Sequence, residues 1–281
     1  MNALVEAKFN VTVLSREGST STFPTGIDVK YVDYDSVESL TAALKGQDAV
    51  VSTLAGAALD KQTKLIDASI AAGVKRYLPS EFGSNTTDPR VVELVPPFRG
   101  KISFVDYLKS KENDISWTSV LTGPFFDWCL IAGFSGFKTA TKTVTLWDNG
   151  EGIFSATNLQ QVGNAVAKIL QHPQETKNRY VAVSSFETSQ KEILNAVEKL
   201  TGEKWAVNHL SSADLNAVGK EKLAKGDHSG MLECIQSATF GDHGYGDLRH
   251  AGLWNEKLGL EKEGFEESVK AALQGKCYGQ K

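Results

Sequence analysis

The sequence has few cysteines and no long hydrophobic run. Its three cysteines, Cys129, Cys234 and Cys277, are far apart and form no CxxC pair, so we expect free thiols in a reducing compartment. No apolar stretch reaches the roughly 18 residues that a membrane-spanning helix needs. The first residues lack the basic and then apolar arrangement of a signal peptide. We therefore expect a cytoplasmic protein that does not act on a membrane.

The chain also lacks an excess of basic charge. Its 281 residues carry a net charge of −4, from 34 acidic and 30 basic side chains that are interspersed. No basic tract offers the patch that binds a phosphate backbone, so we expect no nucleic-acid partner. Hydrophobic residues make up 41% and charged residues 23% of the chain, which excludes a mainly disordered or fibrous protein.

Short β-rich runs alternate with helical patterns over the first two thirds of the chain. This alternation predicts an α/β fold with a doubly wound parallel sheet. The predicted strands are 10–15, 29–34, 48–53, 75–79, 116–122 and 179–184, and the predicted helices are 36–45, 59–72, 101–111, 159–171 and 189–200. A hairpin is predicted where Asp148-Asn149-Gly150 joins VTLW to GIFSAT. We expect a nucleotide-binding domain over 1–130, to which 154–184 returns, and a smaller α/β substrate lobe mainly over 131–281.

The glycine-rich loop of a dinucleotide fold is not found in this sequence. Such a fold opens with a strand, a glycine-rich turn and a helix whose N-terminus receives the pyrophosphate. Here Ala3, Leu4, Ala7 and Phe9 have helical spacing and lead directly into the first predicted strand, with no GxGxxG or GxxGxxG before it. A missing central strand would leave buried backbone groups unpaired, at about 1–3 kcal/mol each. We expect a shortened form of a longer protein; the alternatives are that another segment fills the position or that the sheet is of another α/β type.

Several small or charged side chains stand where parallel strands are predicted to end. Arg16, helped by Ser15 and Ser19, suits the 2′-phosphate of NADP, because a basic residue at this position accommodates that group; the alternative is a solvated loop charge. Further candidates follow the next two inner strands and would line the nicotinamide, or form ordinary turns. These candidates are Ser52, Thr53, Leu54, Ala55, Ser80, Glu81 and Phe82.

One predicted helix carries two alternative acid–base groups. Lys101 at its start is placed to hydrogen-bond a nicotinamide ribose or to polarise a substrate carbonyl; the alternative is a solvated charge. Tyr107 and Lys111 satisfy the YxxxK spacing of short-chain dehydrogenases. Tyr107 lies between Phe104 and Leu108 in an amphipathic pattern, so we interpret it as a core or surface residue.

An aromatic stretch follows the strand at 116–122. Phe125, Phe126 and Trp128 would supply an apolar wall for a substrate, or would simply pack a core. No GxSxG motif supports serine hydrolysis.

Metal binding has little support. The five histidines show no ligand spacing. The acidic and histidine residues of the Gly-rich stretch near the C-terminus are interpreted as surface residues: Asp227, His228, Asp242 and His243.

Four features together resemble the NmrA-like and isoflavone-reductase-like branch of the atypical short-chain dehydrogenases, especially its fungal members. They are LSREGS, LPSEFG, the helix-initial Lys101 and TGPFFDW. The resemblance implies a Rossmann domain that binds NADP(H) and a reductase that transfers hydride to a small, often aromatic substrate of secondary metabolism. It also implies that Lys101 is the catalytic lysine and that Arg16 contacts the 2′-phosphate. We expect a monomer or homodimer. The alternative function is a dinucleotide-sensing regulator without turnover, which one branch of the family exemplifies.

Overall fold

The computed structural model describes residues 1–280 and divides them into two compact units. Unit 1 contains Met1–Glu81, Gly100–Val120 and Val166–Val181, and unit 2 contains Phe82–Arg99, Leu121–Ala165 and the residues from Ala182 onward. The elements in chain order are α1 (Asn2–Glu6), β1 (Thr12–Arg16), β2 (Asp28–Val32), α2 (Val37–Leu44), β3 (Ala49–Val51), α3 (Gln62–Ala71), β4 (Arg76–Leu78), α4 (Pro89–Leu94), α5 (Phe98–Ser110), β5 (Ser116–Leu121), α6 (Phe126–Ile131), β6 (Phe137–Lys138), β7 (Thr143–Trp147), β8 (Phe154–Ala156), α7 (Leu159–Gln171), β9 (Arg179–Ala182), β10 (Phe186–Thr188), α8 (Gln190–Thr201), β11 (Ala206–Leu210), α9 (Ser212–Ala224), α10 (Gly230–Phe240) and α11 (Phe265–Leu273).

The strands of unit 1 form two sheets. β1 pairs in parallel with β2, and a second sheet has the order β3-β4-β5-β9, in which β3, β4 and β5 are parallel. Among residues 1–280, no strand pairs with both β1 and β3, so the two sheets share no strand. The α/β fold with parallel sheets is therefore confirmed.

Helix ends in both units follow the signals in the sequence. Ser36 accepts a hydrogen bond from the Ser39 amide at the start of α2, and Ser189 accepts one from the Glu192 amide at the start of α8. Each such cap contributes about 1 kcal/mol. Gly202 ends α8 with a φ of 69°, a left-handed conformation that glycine adopts without a steric cost.

The strand ends of unit 1 are held together on one side. The Tyr34 hydroxyl, just after β2, donates to the backbone oxygen of Leu14 in β1 at 3.0 Å. Asp35 pairs with Lys61 at 2.6 Å and with Lys64 at 2.9 Å, at the beginning of α3. Because α3 follows β3, these contacts place the carboxyl ends of β2 and β3 on the same side of the unit.

Unit 2 contains two smaller sheets, and here the predicted hairpin is wrong. β7 pairs in parallel with β11 and antiparallel with β6, whereas β8 pairs with β10. A turn does exist between β7 and β8, but the Asp148 carboxylate accepts hydrogen bonds from the Ser212 amide and hydroxyl and from the Asp242 amide. These partners are distant in sequence and direct the two strands into different sheets.

The excursion between β4 and α5 belongs to unit 2, and the functional boundary near residue 130 stays a prediction. Val91, Val95 and Phe98 are buried against Cys234 and Ala238, so the apolar face of α4 is covered by α10. Residues 166–181, which lie within the predicted returning segment 154–184, belong to unit 1.

Within residues 1–280, no helix is both long enough and apolar enough to cross a membrane.

Candidate active site

The Lys101 side chain reaches from the first turns of α5 to the end of β4. Its ammonium donates to the backbone oxygen of Glu81 at 2.5 Å. Burial lowers the pKa of Lys101 from its usual 10.5, and the charge of Glu81 acts in the opposite direction. An ammonium with a lowered pKa gives up its proton more readily than an ordinary lysine does. Both groups lie in unit 1, so this arrangement is complete within one unit.

Hydrogen bonds connect the loops after β3 and β4. The Ser80 hydroxyl donates to the backbone oxygen of Leu54, and the Ser80 amide donates to the Gln62 side-chain oxygen, both at 2.7 Å. The Ser52 amide donates to the backbone oxygen of Leu78 at 2.9 Å. The structure therefore brings together three of the residues predicted at these two strand ends, Ser52, Leu54 and Ser80.

The same loops differ in what they expose. Thr53 and Ala55 are exposed, Leu54 and Ser80 are half-buried, and Ser52 is buried. The exposed and half-buried side chains can contact a ligand, whereas the side chain of Ser52 is buried beneath them.

Gln62 is a residue of this region that the sequence did not reveal. It is only 1% exposed, although it begins α3 in a polar stretch. The pattern KQTK would place it in solvent, and only the fold brings its amide to Ser80. No local signal in the sequence marks this contact.

Arg16 ends β1 with an exposed side chain. Its backbone oxygen accepts a hydrogen bond from the Ser19 amide at 3.2 Å in a turn where Gly18 has a φ of 72°. Within residues 1–280 the guanidinium makes no hydrogen bond or ion pair, whereas Ser15 beside it is buried. An exposed guanidinium of this kind suits a phosphate, which it can bind through two parallel hydrogen bonds.

Phe82, in unit 2, has a φ of 22°, which is unusual for a residue other than glycine. Such a conformation costs of order 1–3 kcal/mol and persists where the surroundings enforce it. The next residue supplies that constraint, because the Gly83 backbone oxygen accepts hydrogen bonds from Thr122 at 3.1 Å and Gly123 at 3.0 Å.

Tyr107 makes a contact that opposes a catalytic role. Its hydroxyl donates to Asp67 at 2.5 Å, and this hydrogen bond raises the pKa of Tyr107 to about 12. The Lys111 ammonium lies 5.4 Å from the centre of the Tyr107 ring. A short-chain dehydrogenase needs a tyrosine whose pKa is lowered by its lysine, so the geometry favours the interpretation of Tyr107 as a structural residue.

Of the three aromatic candidates, Phe126 is not on a surface. It is 2% exposed and its ring packs 4.9 Å from that of Phe186 and 5.6 Å from that of Phe265, in the core of unit 2. The core-packing alternative therefore holds for Phe126, because apolar rings of α11 and β10 cover it. Phe125 is half-buried and Trp128 is 47% exposed, so these two remain accessible.

The residues that suggested a metal have other contacts. Asp242 accepts hydrogen bonds from the amides of Asn149 and Gly152, and His243 stacks on Tyr245 with ring centres 4.1 Å apart. Among residues 1–280, no cluster of three or more histidine, cysteine or acidic side chains is arranged to hold a metal ion.

Comparisons with known proteins agree with this fold. Residues 1–261 match the model of the NmrA-like family. The oxidoreductase aprR of Aspergillus flavus is 36% identical over 95% of this chain and 91% of its own length. A crystal structure of isoflavone reductase has a TM-score of 0.74 at 18% identity, covering 94% of this chain and 91% of that one. The complex of leucoanthocyanidin reductase with NADPH from Vitis vinifera has a TM-score of 0.76 at 19% identity, covering 97% and 94%. The chain therefore belongs to the NmrA-like family.

Proposed function

We propose that the protein is an NADPH-dependent reductase of the isoflavone-reductase-like type, acting on a small aromatic substrate. The observation that carries this proposal is the Lys101 ammonium, held at the Glu81 backbone oxygen. It lies at the carboxyl end of β4, and ligands of open α/β sheets bind beyond such strand ends. The oxidoreductase name of the Aspergillus relative and the NADPH in the leucoanthocyanidin reductase complex support the same class of reaction.

The residues of unit 1 fit two parts of the cofactor. The Arg16 guanidinium, which has no partner in the described chain, would bind the 2′-phosphate, with Ser15 and Ser19 supporting its turn. The loops 52–55 and 80–81 would border the nicotinamide, because the small side chains of Thr53, Ala55 and Ser80 permit close approach. NADPH supplies the hydride when bound. The sequence has no glycine-rich turn ahead of β1, and we assign no residue to the pyrophosphate.

Lys101 would act on the substrate oxygen. Its ammonium donates a hydrogen bond that stabilises negative charge on that oxygen as the hydride arrives, and then transfers its proton there. Its lowered pKa favours this transfer. Phe125 and Trp128, the two accessible rings of the aromatic stretch, belong to unit 2, and their role as substrate contacts stays a prediction from the sequence.

Turnover with NADPH tests the proposal. A panel of small aromatic carbonyl and ether compounds would be screened by following NADPH oxidation, with Lys101→Met as the test variant. Lys109→Met is the matched control, because Lys109 is on the same helix and exposed, in an ion pair with Asp106 at 2.9 Å. Turnover that disappears only in the first variant supports the proposal, and turnover equal in both contradicts the role of Lys101. NADPH binding without turnover of any compound would favour the regulator.

A further inference from the structure

Gln62 is a buried side chain that contacts the loop after β4. It is 1% exposed at the first position of α3, and its side-chain oxygen accepts the Ser80 amide hydrogen at 2.7 Å. The loop after β4 begins here with Pro79, which has no amide hydrogen and cannot extend a strand ladder. The amide of the next residue, Ser80, has its acceptor on a helix rather than on a neighbouring strand.

The short segment between Gln62 and Lys101 is fixed at both ends. The Ser80 amide is held by Gln62, and the Glu81 backbone oxygen is held by the Lys101 ammonium at 2.5 Å. Between them the Glu81 amide donates to the Pro79 backbone oxygen at 2.8 Å, which makes a tight turn. With so few rotatable bonds between the two anchors, the direction of the Glu81 oxygen follows from where Ser80 is held.

We infer that Gln62 is a positioning residue, which orients the Ser80–Glu81 backbone so that the Glu81 oxygen holds the Lys101 ammonium in its working place. This inference rests on the proposed function, since it assigns Gln62 to the same site. The Ser80 hydroxyl donates to the backbone oxygen of Leu54 at 2.7 Å and so secures the loop after β3. This bond does not involve the Ser80 amide, which loses its acceptor if Gln62 is replaced by an apolar residue. Gln62 therefore has no substitute in this contact.

Three variants separate positioning from general stability. Gln62→Leu removes the acceptor at similar size, and Gln62→Glu restores an oxygen at the same distance. Gln190→Leu is the matched control: Gln190 is 0% exposed and accepts the Trp147 amide hydrogen at 2.8 Å, but it lies in unit 2. All variants are compared as full chains, at a temperature where melting curves show each one folded.

The first measurement is the split between kcat and KM. Gln62→Leu is expected to lower kcat on the order of tenfold with KM for the substrate little changed, because a displaced catalytic group weakens the transition state more than binding. Gln62→Glu is expected to recover most of the loss. An equal kcat loss in Gln62→Leu and Gln190→Leu, or no recovery in Gln62→Glu, would overturn the inference.

The second measurement does not depend on activity. The folded protein is treated with a lysine-specific acylating reagent, and the rate at which Lys101 reacts is followed by mass spectrometry. Release of the Glu81 oxygen in Gln62→Leu is expected to raise this rate several-fold, with Lys109 as the internal reference and Gln190→Leu unchanged. An unchanged rate would refute the positioning role even in a chain with no turnover. Conversely, a wild-type chain without turnover refutes only the proposed function.

Discussion

The two ends of α5 carry similar chemical groups in different surroundings. At its start, Lys101 is partly withdrawn from solvent and donates to a backbone oxygen at a strand end. Toward its end, Tyr107 donates to the charged Asp67, and Lys111 lies over the tyrosine ring. The pKa of Lys101 is lowered by burial, whereas that of Tyr107 is raised to about 12 by its carboxylate partner.

This contrast shows why spacing alone does not identify an active site. A proton donor needs a lowered pKa and a position at a ligand-binding edge, and only the first end of α5 provides both. The YxxxK pattern at the other end satisfies the sequence rule, but Asp67 stabilises the protonated tyrosine and so opposes proton donation. Four experiments test whether the two ends of α5 differ in this way.

The largest effect is expected at Lys101. Lys101→Met should lower kcat by roughly 100-fold or more, since a positioned general acid contributes about 10²–10⁴-fold. Steady-state NADPH oxidation measures the change, with Lys109→Met as control. A variant that retains more than half of the wild-type kcat would remove the distinction between the two ends of α5.

Arg16 is expected to show the next largest effect, on cofactor choice. Arg16→Ala should weaken NADPH binding by roughly tenfold to a hundredfold, because a charge-assisted hydrogen bond to phosphate contributes about 1.5–3 kcal/mol. Binding of NADH, which has no 2′-phosphate, should change little. Fluorescence titration with both dinucleotides measures this, and an equal loss for the two would place Arg16 away from the phosphate.

The pH dependence of turnover should report the lowered pKa of Lys101. Burial lowers the pKa of Lys101 below its usual 10.5, so the ammonium loses its proton earlier as the pH rises. Activity that needs the ammonium is present at low pH and falls as the pH passes this lowered value. We expect the alkaline limb of kcat to lie below pH 10.5, and a rate that stays constant up to that pH would contradict the assignment.

The smallest effect is expected from Tyr107→Phe. Loss of the hydrogen bond to Asp67 should reduce the free energy of unfolding by about 0.5–1.5 kcal/mol at most, and less where solvent screens the pair. A tyrosine with a raised pKa stabilises the fold fully below pH 10, and this contribution is lost as the pH rises toward about 12. The difference in the free energy of unfolding between Tyr107→Phe and wild type, measured by denaturation, should therefore be smaller at pH 11 than at pH 7. The kcat of the variant should be unchanged. A large kcat loss would revive the YxxxK alternative.

Much of the fold follows from local signals. The alternation of β-rich and amphipathic runs predicted every element from β1 to α3, and the predicted helices 36–45 and 189–200 begin at the residues that cap α2 and α8, Ser36 and Ser189. The hairpin failed because Asp148 is bound by Ser212 and Asp242, which lie far away in sequence. Local turn chemistry predicted the turn itself but not the sheets that its strands join.

The candidate site was predicted less completely than the fold. The position of Ser80 just after β4 follows from topology, since carboxyl ends of parallel strands are where ligands bind, and the position of Lys101 follows from the predicted start of its helix. Phe126 could not be separated from its exposed neighbour Trp128, because their difference depends on which rings of other elements cover them. Gln62 gave no signal, because a glutamine in a polar helix start is indistinguishable from a surface residue until the fold places it.

Thermal unfolding with added dinucleotide tests the central claim, that unit 1 is an NADPH-binding scaffold. A ligand that binds only the folded chain raises its stability by mass action, by about 2.7 kcal/mol at a hundred times its Kd. We predict that NADPH raises the melting temperature by several degrees, that NADH raises it less, and that Arg16→Ala removes the difference. No shift with NADPH at concentrations near millimolar would contradict the account.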